Sequence, residues 1–236
     1  MLYTLLLAGG KGTRMGNTGV PKQFISIKGQ PIIIRTLKKL LKQKKIDKIV
    51  IVCNKSYCVY LADLLSEYDL NKNIYITEGG NNRFDSILCG INFINDNFHP
   101  EESDSFMIHD SVRPFIDENV LENAIEASGK YSAVSVANPL AINIISSDDD
   151  GNIKKIFPRE KLYTDESPQI FNIKIFMDCI KKYKSEELAK ISDLSSIFVD
   201  NNYVVHIIEG NTDNIKITTS KDIAIAEKLI IEEDAR

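Results

Sequence analysis

No run of about 18 consecutive apolar residues occurs in the chain, so no membrane span is expected. No CxxC pair joins the four cysteines, Cys53, Cys58, Cys89 and Cys179. Neither a zinc framework nor a disulfide scaffold is therefore expected, and reduced thiols in a cytoplasmic protein are the plain reading. Positive charge is not in excess. The formal net charge is −4, which argues against a whole-surface attraction to nucleic acid or anionic membrane. The lysines over residues 38–48 are interrupted by apolar residues at helical spacing, and no aromatics interleave for base stacking. They read as the solvated face of a helix. There is no internal repeat, low-complexity tract or interdomain linker. The opening MLYTLLLAGG lacks a basic leader and reads as a first strand rather than a signal peptide.

What remains is ordinary for a soluble globular domain. The 236 residues are 43% hydrophobic and 26% charged, enough for one well-filled core. Apolar runs at 2–7, 48–53, 73–77, 105–109, 133–137 and 203–208 read as strands. Helical spacing covers 31–41, 56–68, 83–95, 118–128, 173–184, 192–199 and 220–233. Near-continuous apolar strands separated by helices predict an α/β, Rossmann-like fold with a mostly parallel sheet covered on both faces. Residues 142–171 break the pattern. The turn signal DDDG at 148–151 lies between two short β-like runs, which predicts a protruding hairpin.

The stretch LLLAGGKGTRMG at 5–16 carries the first chemical signal. A strand that ends in Gly9, Gly10 and Gly12 lets backbone N–H groups approach a phosphate. Lys11 and Arg14 add charge, and the guanidinium fork suits phosphate oxygens. A P-loop is excluded because Lys11 is followed by Gly12. A dinucleotide fingerprint is excluded because Gly10, Gly12 and Gly16 are spaced one residue too long. The second strand also ends in Cys53, Asn54 and Lys55, with no acid for a ribose. Asp110 closes an apolar strand at the carboxyl edge, where open α/β sheets place ligands. His109 points to the opposite face and reads as a structural histidine. Arg113 reads as a brace for the loop after it.

AGGKGTRMG followed by VPKQF at 20–24 resembles the signature of the sugar nucleotidyltransferases, above all the cytidylyltransferases that make CDP-linked polyol phosphates. The resemblance continues through GGNNRFDSILCGI at 79–91, HDSVRPF at 109–115, FPREKLYTDESPQIF at 157–171 and EGNTDNIKITTSKDIAIAE at 209–227. It implies the fold of the nucleotide-diphospho-sugar transferases: a single domain over 1–236, with a β-arm over 140–168 that exchanges across a homodimer. It also implies the reaction of CTP with a polyol phosphate to give a CDP-polyol and pyrophosphate. Arg14, Lys22 and Lys216 match the family's catalytic cations. Ala8, Gly9, Gly10, Gly12, Gly80, Asn81, Arg83, Ser86, Asp110 and Ser111 match its nucleotide-binding positions. Asp110 is the expected ligand of Mg2+ or another divalent cation. Arg159, Ser167, Ser192 and Asp193 match the acceptor side.

The chain departs from the family in three places. Ile142-Asn143 stands where Asp-Thr is usual, Ser167-Pro168-Gln169 replaces Thr-Pro-Gln, and Ser192-Asp193 replaces Thr-Asp. The resemblance leans to the ribitol 5-phosphate branch, in the supply of wall or capsule precursors. Methylerythritol 4-phosphate, for isoprenoid synthesis, is the alternative acceptor. A nucleotide-binding regulator that has lost turnover is the alternative of another class.

Overall fold

A computed structural model describes residues 1–10, 20–70 and 72–235. Gly12 and Arg14, expected in the phosphate loop and the catalytic set, lie outside the described residues.

In chain order the elements are β1 (Leu2–Ala8), β2 (Ser26–Ile27), β3 (Gln30–Pro31), α1 (Ile32–Lys42), β4 (Lys48–Cys53), α2 (Cys58–Glu67), β5 (Ile74–Glu78), α3 (Arg83–Phe98), β6 (Ser105–Asp110) and α4 (Glu118–Ser128). There follow β7 (Ala133–Pro139), β8 (Ile144–Ser147), β9 (Ile153–Phe157), β10 (Tyr163–Asn172), α5 (Ile173–Ile180), α6 (Ser185–Leu188), α7 (Ser195–Asp200), β11 (Val205–Glu209) and α8 (Ser220–Asp234).

Seven strands form one sheet in the order β11-β7-β10-β6-β1-β4-β5. β1 runs parallel to both β4 and β6, and β10 runs antiparallel to β6 and β7. Alternate residues of each strand feed two separate cores, as strand geometry demands. Leu6, Ile49 and Ile51 pack under Leu37 of α1, Leu61 of α2 and Leu121 of α4. Leu5, Val50 and Val52 pack under Ile87 of α3, with Phe176 of α5 and Phe198 of α7 in the same cluster. α3 lies unusually close to the sheet. A Cβ on its Gly90 would stand 2.7 Å from Leu5 Cδ2 and 2.9 Å from Val52 Cγ2, so a larger residue there would force these buried side chains to repack.

The lysines of α1 and the turn after it are solvent-facing, as their spacing implied. Lys42 pairs with Glu118, and Lys45 with Glu122 and Glu126. All four cysteines are unbridged.

Within the 140–168 segment expected as the arm, two kinds of strand occur. Its two-stranded hairpin is β8 and β9, and from Tyr163 onward the chain is a strand of the main sheet. Pro168 is accommodated where the β10–β7 ladder is interrupted, between Asp165 and Gln169. A residue without an N–H costs no ladder bond there.

Candidate active site

β1 has its chain neighbours on opposite sides: β4 follows it on one flank and β6 occupies the other. Such a reversal opens a crevice beyond the carboxyl ends of the strands. A cavity of about 520 Å3 lies there. Gly9, Gly10, Lys22, Gly80, Asn81, Arg83, Ser86, Asp110, Ser111 and Lys216 all line it. Most of the expected nucleotide positions and two of the three expected cations thus meet at one place. Ala8 is buried just behind them.

Lys22 owes its position to its neighbours in VPKQF. Pro21 holds an extended φ of −57° before a single helical turn, Lys22–Phe24. The buried Gln23 donates from Nε2 to the Ala8 carbonyl at 2.6 Å, tying that turn to the end of β1. Phe24 packs against Tyr57 and Tyr60, with ring centroids 5.6 and 5.0 Å apart. The turn is therefore held by a buried hydrogen bond and an aromatic cluster, and Lys22 projects from it into the cavity.

The opposite wall is the start of α3. Asn82 caps the helix by accepting from the Asp85 N–H at 2.8 Å. A Cβ on Gly80 would fall 2.3 Å from the Cβ of Asp85, so that position admits only glycine. Ser86 Oγ donates to the Asn82 carbonyl at 2.8 Å and accepts from the Gly80 N–H at 3.1 Å. The hydroxyl holds this loop in shape, and the loop presents backbone edges to the cavity.

Asp110 and Lys216 form the third wall. Lys216 Nζ lies 2.9 Å from Asp110 Oδ2, and Arg113 Nε lies 3.4 Å from the same oxygen. Arg113 also donates to the Asn214 carbonyl at 2.7 Å, so it braces the loop as its sequence context implied. Burial alone would raise the Asp110 carboxyl. Lys216, then Arg83 and Arg113, outweigh burial and hold it at about 2. The group is a fixed anion at the cavity edge.

His109 is fully buried and structural. The Arg113 carbonyl, 3.0 Å from Nε2, can only accept, so Nε2 carries the proton. Nδ1 then accepts from the Ser167 hydroxyl at 3.0 Å. Burial pushes the imidazole down to about 4. Cys53, beside the cavity at the end of β4, is pushed by burial up to about 12 and is no thiolate nucleophile.

The acceptor-side residues are not gathered into the cavity of this one chain. Ser167 is buried behind Asp110, and its hydroxyl is engaged by His109. Arg159 is exposed at the turn after the hairpin, Ser192 is exposed, and Asp193 is half-buried.

Several functional neighbours went unassigned in the sequence reading. Gln23 lies inside the VPKQF motif, and its pairing could be found only from tertiary contacts. Asp165 and Gln169 join Asp193 in a polar cluster, and Asn54 and Asn82 line the cavity. Their signal was polarity at strand ends and helix starts, which many loops share.

A mostly parallel sheet with a cation-lined crevice at its switch point is the architecture of an α/β nucleotidyltransferase. The chain belongs to the 2-C-methyl-D-erythritol 4-phosphate cytidylyltransferase family, whose pattern matches residues 2–232. As a member of that family it is a cytidylyltransferase. It is 34% identical over 230 residues to the ribitol-5-phosphate cytidylyltransferase of Lactiplantibacillus plantarum, covering 98% of each chain. The solved 4-diphosphocytidyl-2C-methyl-D-erythritol synthase of Anaerococcus prevotii superposes with a TM-score of 0.81 at 27% identity, over 98% of this chain and 96% of that one. The 2-C-methyl-D-erythritol 4-phosphate cytidylyltransferase of Francisella tularensis shares the fold, with a TM-score of 0.79 at 22% identity over 96% of this chain and 98% of that one.

Proposed function

We propose that the chain converts CTP and D-ribitol 5-phosphate to CDP-ribitol and pyrophosphate. The observation that carries the chemistry is the convergence of Lys22, Arg83 and Lys216 on one crevice beside the Asp110 carboxylate. The full-length similarity to a ribitol-5-phosphate enzyme supports the acceptor.

In this reading the backbone edges of residues 79–82 receive cytosine and ribose. A phosphate oxygen of the acceptor attacks the α-phosphorus of CTP in line, and pyrophosphate leaves with the electron pair of the broken P–O bond. No covalent enzyme intermediate is needed. Lys22 and Lys216 offset charge that builds on the pentavalent centre, which is the usual route to rate in phosphoryl chemistry. Lys216 arrives already oriented by Asp110, so little reorganisation accompanies the reaction.

The residues present also suit Mg2+. The described residues contain no cluster of three or more His, Cys, Asp or Glu groups, and Asp110 offers one ionised carboxylate. A cation that takes its remaining ligands from phosphate oxygens and water fits that donor set. When bound it would neutralise part of the triphosphate charge.

The arm supports a homodimer. Ile142, Ile145, Ile153 and Ile156 on and beside the hairpin are each more than half exposed. A second copy covering them would bring Arg159 towards its partner's crevice. The unbridged cysteines support a reducing, cytoplasmic setting.

Pyrophosphate release with CTP and Mg2+ tests the assignment, with ribitol 5-phosphate and methylerythritol 4-phosphate offered separately. Release with ribitol 5-phosphate alone is expected. Release only with methylerythritol 4-phosphate moves the enzyme to isoprenoid supply. CTP binding without release under either condition points to a third phosphorylated polyol or sugar as acceptor, or to a nucleotide-binding regulator without turnover.

A further inference from the structure

Behind the crevice, the Gln169 side chain of β10 joins four other polar groups. Its Nε2 lies 2.6 Å from Asp193 Oδ2, 3.1 Å from Asp165 Oδ1, 3.2 Å from Ser195 Oγ and 3.3 Å from Ser135 Oγ. Ser135 also donates to Asp165 Oδ1 at 2.7 Å. An amide NH2 has two protons, so it cannot satisfy two carboxylates and two hydroxyls at once. Two carboxylates around one amide repel each other unless a proton lies between them.

The cluster is also a joint. Asp165 and Gln169 flank the ladder break in β10 that contains Ser167. Asp193 immediately follows Ser192, and its other oxygen accepts from the Ser195 N–H at 2.8 Å, fixing the start of α7. Ser135 comes from β7. The cluster therefore ties the loop carrying Ser192 to the strand carrying Ser167, at the side of the crevice away from α3.

We propose that Asp165 is a positioning residue for the acceptor: as the neutral acid it bonds Asp193 and, with Gln169, docks the Ser192 loop against β10. The inference rests on the acceptor side lying along this loop, as in the proposed function. Among the described residues the charged group facing Asp165 is Asp193; β7 and β10 contribute the uncharged Ser135 and Gln169, and Ser195 of α7 meets the cluster through Gln169. Asp165 keeps an exposed edge, but loss of water around its bonded carboxyl oxygens, then the Asp193 charge, raise that carboxyl to about 6. The docked arrangement is thus favoured at low pH. It weakens as Asp165 ionises beside the Asp193 carboxylate.

The test is the pH dependence of KM for each substrate between pH 5.5 and 8, in the wild type and in Asp165→Asn. Asparagine mimics the neutral acid and cannot ionise. The acceptor phosphate itself titrates near pH 6, and the ratio of wild type to variant cancels that effect. The wild-type acceptor KM should rise about tenfold relative to Asp165→Asn across the range, the consequence of a one-unit coupling. KM for CTP should stay parallel in the two proteins. Parallel acceptor profiles overturn the proposal. So does an equal shift in the KM for CTP.

If neither polyol phosphate is turned over, the functional reading fails, and the carboxyl pair is read directly by 13C NMR. A titration near pH 6 that Asp165→Asn abolishes and Gln169→Leu displaces supports the paired acid. Its absence overturns it.

Discussion

Lys216 Nζ sits 2.9 Å from Asp110 Oδ2, although the two residues come from opposite halves of the chain. Two contacts bring them together, one between backbones and one from a side chain to a backbone carbonyl. The Ile217 N–H donates to the Val112 carbonyl at 3.0 Å, and Arg113 donates to the Asn214 carbonyl. Ile217 is fully buried, so Lys216, one residue away, is turned outward to the crevice. Replacing Lys216 or Lys22 with alanine should each cut turnover by roughly 10²-fold or more, the usual effect of losing one transition-state charge contact. Pyrophosphate release at saturating substrate measures it. Near wild-type rates in both variants would remove them from the chemistry.

Asp110 should remain an anion in acid. Its folded value, about 2, lies below the ordinary 3.8. The associated stability is present above pH 3.8 and is lost as pH falls towards 2. It amounts to roughly 2 kcal/mol. Asp110→Asn should remove that acid-side slope in urea denaturation.

His109 makes a separate prediction over a higher pH window. Its folded value is lowered from 6.5 to about 4, so the unfolded chain binds a proton that the folded chain refuses. Stability should be full above pH 6.5 and fall by roughly 3 kcal/mol as pH drops to about 4. His109→Gln should flatten the urea midpoint across that window. An unchanged slope would mean that the imidazole is protonated in the fold.

Gly80 is predicted to be intolerant of a single methyl group. With Asp85 Cβ only 2.3 Å from the added atom, Gly80→Ala must push back the start of α3, at about 1–3 kcal/mol for such overpacking. The KM for CTP should rise by at least about tenfold, while the far-UV circular dichroism stays native. An unaltered KM would dissociate this loop from the nucleotide.

Arg159 tests the arm. Arg159→Ala should raise the KM for the acceptor and leave that for CTP unchanged. Deleting the hairpin should shift the protein to a monomer in sedimentation. If the arginine acts on its partner's crevice, mixing Arg159→Ala with Lys22→Ala subunits should restore part of the lost activity.

The parallel strands were legible because β1, β4, β6 and the first half of β7 are near-continuous apolar runs, as strands covered on both faces tend to be. β10 was harder to place. Its residues fell in the 142–171 stretch read as a hairpin, and DESP is unusual for a central strand, which rarely carries two acids and a proline. Ser135, Gln169 and Asp193 take up the Asp165 carboxyl, and the ladder break takes up the proline. The same cluster explains why α7 begins at Ser195 rather than near Ser192: Asp193 is drawn into the network and caps the helix from outside it.

By itself the sequence determined the chemistry of the crevice. Glycines at strand and helix ends, two lysines in characteristic surroundings and one strand-end aspartate are local features, readable wherever the chain places them. Tertiary structure alone decided which groups share protons and charge. The ionised Asp110, the neutral His109 and the raised Asp165 depend on burial and on partners from distant segments. Electrostatic energy at those distances is set by packing that no local pattern encodes.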